Sequence, residues 1–233
     1  MRLEQLSDRC LLILADNREV EYEELPAFDA VISDPPYGIN HQKGSWGSGP
    51  PNARDRPTRR NTQKIVEDNV PFDPRWLLSL SANVALFGAD HFAARLPETG
   101  RWLAWDKLAG KASWDHFSDV EFIWHSKKGR SEICTHLWKG IVCWKTGEEH
   151  GRRYHPTQKP IRVMTWLWER CGKPARVLDP YMGVGSTGVA VLRAGASFIG
   201  VEVVEEFFEV AVTRCRKELE KTGAPIYISG EPA

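Results

Sequence analysis

The chain of 233 residues is 42% hydrophobic and 27% charged, with 31 basic residues against 31 acidic ones. That is enough apolar material for a core and excludes a wholly disordered chain. A net charge of zero excludes a polybasic coat for nucleic acid, so any basic surface must be local. No run of about 18 uncharged apolar residues is present, so no membrane span is expected. The first sixteen residues place acids on both sides of a short apolar run, a poor secretion signal. The five cysteines (Cys10, Cys134, Cys143, Cys171, Cys215) form no C-x-x-C pair. A disulfide framework or Cys-rich zinc site is therefore not expected, and a reducing cytoplasm is. The seven histidines lack metal-ligand spacing, so no metal is expected.

Short β-branched or aromatic runs bounded by turn residues predict strands over 11–14, 30–33, 84–87, 102–105, 121–124, 176–178 and 198–201. Amphipathic stretches predict helices over 74–82, 89–96, 160–171, 186–194 and 204–221. In the last, Phe207 or Phe208, Ala211, Cys215 and Leu219 make one apolar stripe. Pro160 suits the first turn of its helix, where a missing N–H costs nothing. Alternating strands and helices predict an α/β layer fold in one domain, 1–233, with a mostly parallel sheet.

Two segments break this rhythm. Residues 39–64 combine glycines and prolines with six basic residues against Asp55, a mobile loop of net charge +5 that extends toward residue 70. Residues 126–153 carry seven basic residues against three acids, net +4. The rest of the chain must then carry −9. A neutral total therefore conceals segregated charge. Solvated surface loops are the ordinary explanation of such segments.

Leu178-Asp179-Pro180-Tyr181-Met182-Gly183-Val184-Gly185-Ser186-Thr187-Gly188 joins a predicted strand to a predicted helix. Gly183, Gly185 and Gly188 spell G-x-G-x-x-G, where glycines permit a tight turn and close approach of a ligand. Glu202, at the end of the next strand, can accept hydrogen bonds from two ribose hydroxyls. Three ligands compete for this turn. ATP is poorly served, because Val189 stands where a phosphate-binding loop needs lysine. A dinucleotide needs an open helix N-terminus and further strands, which must lie earlier in the chain. S-adenosylmethionine has a ribose and adenine, no phosphate, and an ammonium that Asp179 could meet.

Asp34-Pro35-Pro36-Tyr37 directly follows the strand predicted over 30–33. The prolines hold the chain extended while their carbonyls still accept hydrogen bonds. With the Asp34 carboxylate, the segment offers several acceptors and an aromatic face within four residues. An exocyclic amino group on a flat base needs such a set, since its lone pair is delocalised into the ring. The same residues also suit an ordinary proline-rich turn with Asp34 as a cap.

Taken together, these two motifs resemble those of the amino-group DNA methyltransferases that use S-adenosylmethionine, in the permuted β class where D-P-P-Y precedes D-P-F-x-G-S-G-T. The resemblance covers roughly residues 11–215 and implies a Rossmann-like methyltransferase domain with a permuted motif order. It also resolves where the missing strands lie. Leu14-Ala15-Asp16 is similar to the segment whose acid lies near the cofactor adenine. His155-Pro156-Thr157-Gln158-Lys159-Pro160 resembles the segment before the glycine turn, with Thr157 and Lys159 meeting the methionine carboxylate. Phe198-Ile199-Gly200-Val201-Glu202 resembles the ribose-binding strand. Trp105-Asp106-Lys107 and Val120-Glu121-Phe122 match weaker blocks of the catalytic half. Tyr181 replaces the usual Phe and Val184 the usual Ser.

The resemblance implies that Asp34, Pro35, Pro36 and Tyr37 are catalytic, with Tyr37 stacked on a base flipped from double-stranded DNA. It implies a cofactor site of Asp16, Thr157, Lys159, Asp179, Tyr181, Gly183, Gly185, Ser186 and Glu202. Nucleic-acid contacts are expected from Trp46, Arg54, Arg56, Arg59 and Arg60 in the first loop, and from Lys127, Lys128 and Arg130 in the second. The resemblance implies that 126–153, where the family often carries its target-recognition region, is a short version of it. Adenine N6 is the expected acceptor, as the family favours Asp at position 34 for adenine, and cytosine N4 is the alternative. Cytosine C5 methylation is disfavoured, since none of the cysteines follows a proline. Methylation of RNA or of a protein amide, a nicotinamide-dependent oxidoreductase, and a non-catalytic DNA-binding module are the remaining alternatives. A homodimer is compatible with a chain of this size.

Overall fold

The computed structural model describes residues 1–38, 70–113, 118–138, 154 and 158–227. Among these, nine strands form one sheet: β1 (Arg2–Ser7), β2 (Cys10–Leu14), β3 (Ala30–Ser33), β4 (Val84–Phe87), β5 (Arg101–Asp106), β6 (Val120–His125), β7 (Glu132–Thr135), β8 (Arg176–Asp179) and β9 (Ser197–Glu202). The helices are α1 (Arg75–Leu80), α2 (Ile161–Arg170), α3 (Ser186–Arg193) and α4 (Glu205–Lys221). The strand order is β1-β2-β9-β8-β3-β4-β6-β5-β7. Its centre, β2-β9-β8-β3-β4, is parallel. The β1 and β6 pairings are antiparallel, and β7 runs parallel to β5.

Both faces of the central strands are covered, which explains their continuous apolar sequences. Every residue of β3 and β4 is buried. On one face Leu12, Ile32, Phe87 and Val177 pack with Val163 and Leu167 of α2, Leu192 of α3 and Phe208 and Leu219 of α4. On the other, Ile13, Val31, Leu86 and Leu178 meet Phe72, Leu77 and Phe92. Adjacent residues such as Leu12 and Ile13 thus face opposite layers, as strand alternation requires. Among the described residues, that second face is covered as far as Trp124 of β6. Phe122, Ala104 and Ile133 stand in one cross-strand row beside Trp102, and Trp102, Phe122 and Ile133 are exposed.

The predicted α4 stripe is the observed one, with Phe208, Ala211, Cys215 and Leu219 wholly buried. Glu205 and Glu206 in its first turn and Lys221 in its last complement the helix dipole. Three expectations need correction, and β1 adds a strand that the sequence did not predict. The helix predicted over 89–96 is a 3-10 segment, Ala89–Arg95, because Gly88 enters it left-handed and Phe92 breaks it at φ −130°. Pro160 caps α2 in an extended conformation rather than occupying its first turn. The N-terminal residues form β1, an edge strand whose exposed side chains hide its alternation. Within 126–153, residues 132–135 form β7 rather than continuing a loop.

The chain winds outward from the centre in both directions: β3 continues to β4 on one side, and β8 to β9 on the other. The β3–β8 seam is therefore a topological switch point. Open α/β sheets bind ligands in the crevice at the carboxyl ends of strands at such a point. Asp34 follows β3 and the glycine turn follows β8, so both motifs open onto this crevice.

Candidate active site

A hydrogen bond ties the two motifs together. Ser33 Oγ, the last residue of β3, donates to Asp179 Oδ1, the last residue of β8, at 2.6 Å. Thr187 Oγ1 donates to the other Asp179 oxygen at 2.5 Å, and the Tyr181 N–H to Oδ1 at 3.1 Å. Burial pushes the Asp179 carboxyl up to about 6 against the pull of these donors. Asp179 is thus a buried strut between β3, β8 and α3, and its observed partners are Ser33, Tyr181 and Thr187.

Glu202 shapes the glycine turn. Its Oε2 accepts from the Gly183 N–H at 2.9 Å and its Oε1 from the Val204 N–H at 2.8 Å. Burial raises its carboxyl to about 7, the N–H groups of Val204, Gly183 and Val203 pulling the other way. Gly183 and Gly185 have φ of +52° and +75°, which favour glycine. A Cβ on Gly183 would have no atom within 4 Å, so the turn is open to a ligand there. At Gly188 a Cβ would lie 2.6 Å from the Phe198 ring, so that glycine serves packing of helix on sheet. Asp16 stands beyond β2, whose Leu14 pairs with Glu202. Its Oδ1 accepts from the Arg18 N–H and Nε, each at 2.9 Å, and these bonds hold it below the usual carboxylate range. Tyr181 packs edge-on against Phe72 and Trp76, and Trp76 meets Tyr22. An aromatic wall therefore borders the turn. Ser186, the first residue of α3, is buried and accepts from Arg214 at 3.3 Å.

The Asp34-Pro35-Pro36-Tyr37 segment forms a second cluster. Lys159 Nζ lies 2.6 Å from Asp34 Oδ2 and 2.8 Å from Glu121 Oε1. The Tyr37 hydroxyl donates to Asp34 Oδ1 at 2.5 Å and lies 2.8 Å from Glu121 Oε1. Lys159 also sits over the Phe87 ring at 5.2 Å. Burial raises Asp34, and the Lys159 charge only partly offsets this. Burial would likewise raise Glu121, but Lys159 and Lys107 hold it below its ordinary value. Lys159, despite the same burial, is raised by its two carboxylates and stays an ammonium. Tyr37 is raised well above the phenol range by burial and both carboxylates, and stays protonated. Its ring stacks on His91, with centroids 5.1 Å apart and planes at 20°. A Cβ on Gly88 would stand 2.1 Å from that ring, so the fit requires glycine.

The structure brings Asp16, Asp34, Pro35, Pro36, Tyr37, Asp179, Tyr181, Gly183, Gly185, Ser186 and Glu202 to the carboxyl edge of the central strands. Lys159 joins Asp34 in that group rather than the glycine turn. Lys127, Lys128 and Arg130 are not brought there. They are exposed at the opposite edge, where Ser126 bonds to Val84 at the start of β4 and Arg101 to the Arg130 carbonyl. The cause is strand direction: β6 is antiparallel to β4, so its end lies at the start of β4. Thr157, Trp46, Arg54, Arg56, Arg59 and Arg60 lie outside the described residues. Glu121, Gly88 and His91 join the cluster without having been singled out as site residues. For Glu121 the signal was present, since it is the one acid in the strand Val120–His125.

The mostly parallel α/β sheet is similar in fold to those of solved DNA methyltransferases. It matches the PvuII DNA methyltransferase (cytosine-N4-specific) with a TM-score of 0.57 at 13% identity, over 90% of this chain and 87% of that one. The M1.HpyAVI–SAM complex matches with a TM-score of 0.51 at 20% identity, over 88% and 98%. Residues 104–213 match a family model described as DNA methylase, of the N6/N4 type. The chain is 38% identical over 88 residues to YubD of Escherichia coli (strain K12), 37% of each protein. It is 29% identical over 116 residues to the type II methyltransferase M2.LlaDCHI of Lactococcus lactis subsp. cremoris, 49% of this chain and 41% of that protein. It thus spans about two fifths of the length of these relatives.

Proposed function

We propose that the protein is a DNA methyltransferase that uses S-adenosylmethionine and acts on an exocyclic amino group, adenine N6 rather than cytosine N4. The observation that carries this reading is the Ser33–Asp179 bond, which fixes the acceptor-rich Asp34 segment beside the open glycine turn. The match of residues 104–213 to the DNA methylase family model supports it.

The residues present fit the cofactor. Gly183 is open to approach, and Glu202 has a carboxylate for ribose hydroxyls. Asp16 and the aromatic wall at Tyr181 and Trp76 stand on the same edge. When bound, S-adenosylmethionine supplies an electrophilic methyl group. Asp34 supplies acceptors: each carboxylate oxygen has a lone pair left after its bond to Tyr37 or Lys159. With the Pro35 carbonyl these would accept the amino N–H groups and direct the nitrogen lone pair outward. The protein's contribution is then orientation and electrostatics.

The test is labelled methyl transfer to unmethylated genomic DNA, followed by nucleoside analysis. N6-methyl-2′-deoxyadenosine is expected from the wild type, and Asp34→Ala should abolish transfer while retaining cofactor binding. N4-methyl-2′-deoxycytidine would select the alternative base. Tight NAD binding with no binding of S-adenosylmethionine, or full activity in Asp34→Ala, would refute the reading.

A further inference from the structure

We propose that Glu121 is a positioning residue that sets the charge of the amino-acceptor pocket. Its pairing with Lys159 leaves Asp34, Glu121 and Lys159 with one net negative charge beside the reacting nitrogen. This rests on the methyl-transfer reading and goes beyond it, because Glu121 is bridged to Asp34 by Lys159 and Tyr37.

The geometry poses an electrostatic problem that Glu121 solves. Lys159 bonds an Asp34 oxygen directly and is nearly buried. Alone, that ammonium would cancel the Asp34 charge. In the transfer step the lone pair of the amino nitrogen forms the new N–C bond while the S–C bond breaks and its electron pair stays on sulfur. Positive charge passes to nitrogen, whose proton then leaves to the Asp34 carboxylate and on to water. A neutral Asp34–Lys159 pair would offer this cation little, and a bare ammonium would oppose it. Glu121 compensates Lys159 at 2.8 Å and fixes the Tyr37 hydroxyl at the same distance. Charge placed where a transition state develops it is effective because it needs no reorganisation.

The charged and titratable groups facing Asp34 come from several elements. Tyr37 comes from its own segment, Glu121 from β6, Lys159 from the residues before α2, and Asp179 from β8. Lys107 acts on Glu121, and His91 stacks on Tyr37. Among these, Glu121 raises Asp34 through its charge. Removing it should therefore move Asp34 downward in pH.

The experiment uses Glu121→Gln, Lys159→Met and the double variant in the full chain. Glu121→Gln makes the triad neutral, and kcat should fall on the order of 100-fold with the cofactor KM little changed. The double variant restores one net negative charge and should recover activity to within about tenfold of wild type. Carbon NMR of aspartate-labelled, ligand-free protein gives a readout independent of turnover: the Asp34 carboxyl should titrate at lower pH in Glu121→Gln. An active wild type with an unaffected Glu121→Gln overturns this inference alone. So does a double variant no better than Glu121→Gln, or an unmoved Asp34 titration. A wild type that transfers no methyl group to DNA overturns the reading beneath it, whatever the NMR shows.

Discussion

Cofactor affinity should depend on pH through Glu202. Ribose hydroxyls donate to a carboxylate, so binding favours the ionised form, while burial raises the ligand-free carboxyl to about 7. The sign follows. Below pH 7 a proton must be displaced before binding, and affinity is lost as pH falls. Between pH 8.5 and 5.5 the ionised fraction drops about 30-fold, equivalent to about 2 kcal/mol of binding free energy. Isothermal titration with S-adenosylmethionine across this range should show that loss in the wild type. Glu202→Gln should bind more weakly at pH 8.5, because one N–H of Gly183 or Val204 then faces an amide donor. The ratio of wild-type to variant affinity should shrink about 30-fold toward pH 5.5, which separates Glu202 from Asp179 and from the ligand's own titration. A ratio constant across the range would refute the assignment of Glu202 to the ribose. Without ligand the same group acts oppositely: its raised value favours the fold at low pH, and that contribution is lost as pH rises from about 4.5 to 7.

Other perturbations report on the rest of the site. Gly88→Ala places a Cβ 2.1 Å from the Tyr37 ring at a left-handed φ of +62°. It should cost about 1–3 kcal/mol in urea unfolding and about 100-fold in kcat, since Tyr37 must leave Asp34 and Glu121; unchanged kcat would show that Tyr37 placement does not matter. Burial lowers buried His125 to about 4, where Arg101 donates to its Nδ1 and its Nε2 meets Asn83. Its folded value lies below the unfolded one, so its contribution to stability is present above pH 6.5 and lost as pH falls toward 4. The destabilisation caused by His125→Asn should therefore shrink by about 3 kcal/mol between pH 7 and pH 4, and a constant gap would refute it.

The central strands and α4 were legible because their patterns are local. A strand buried on both faces is a continuous apolar run, and a helix face recurs at four-residue spacing. The glycine turn and Asp34-Pro35-Pro36-Tyr37 were legible for the same reason: each motif is contiguous, and its backbone demands lie within a few residues. The edge strands β1 and β7 were not. Their exposed side chains carry no clean alternation, and pairing to a neighbour decides them. Lys159 was found as a residue but not as the partner of Asp34. Nothing near position 159 encodes an ion pair with β3 and β6; the sheet order does. Likewise the charge run at Lys127, Lys128 and Arg130 is plain in the chain, but only the antiparallel turn of β6 sets it at the far edge. Local sequence determines which chemical groups are present and which backbone they sit on. Their partners, and with them charge state and direction, follow from long-range strand pairing, which tertiary packing alone decides.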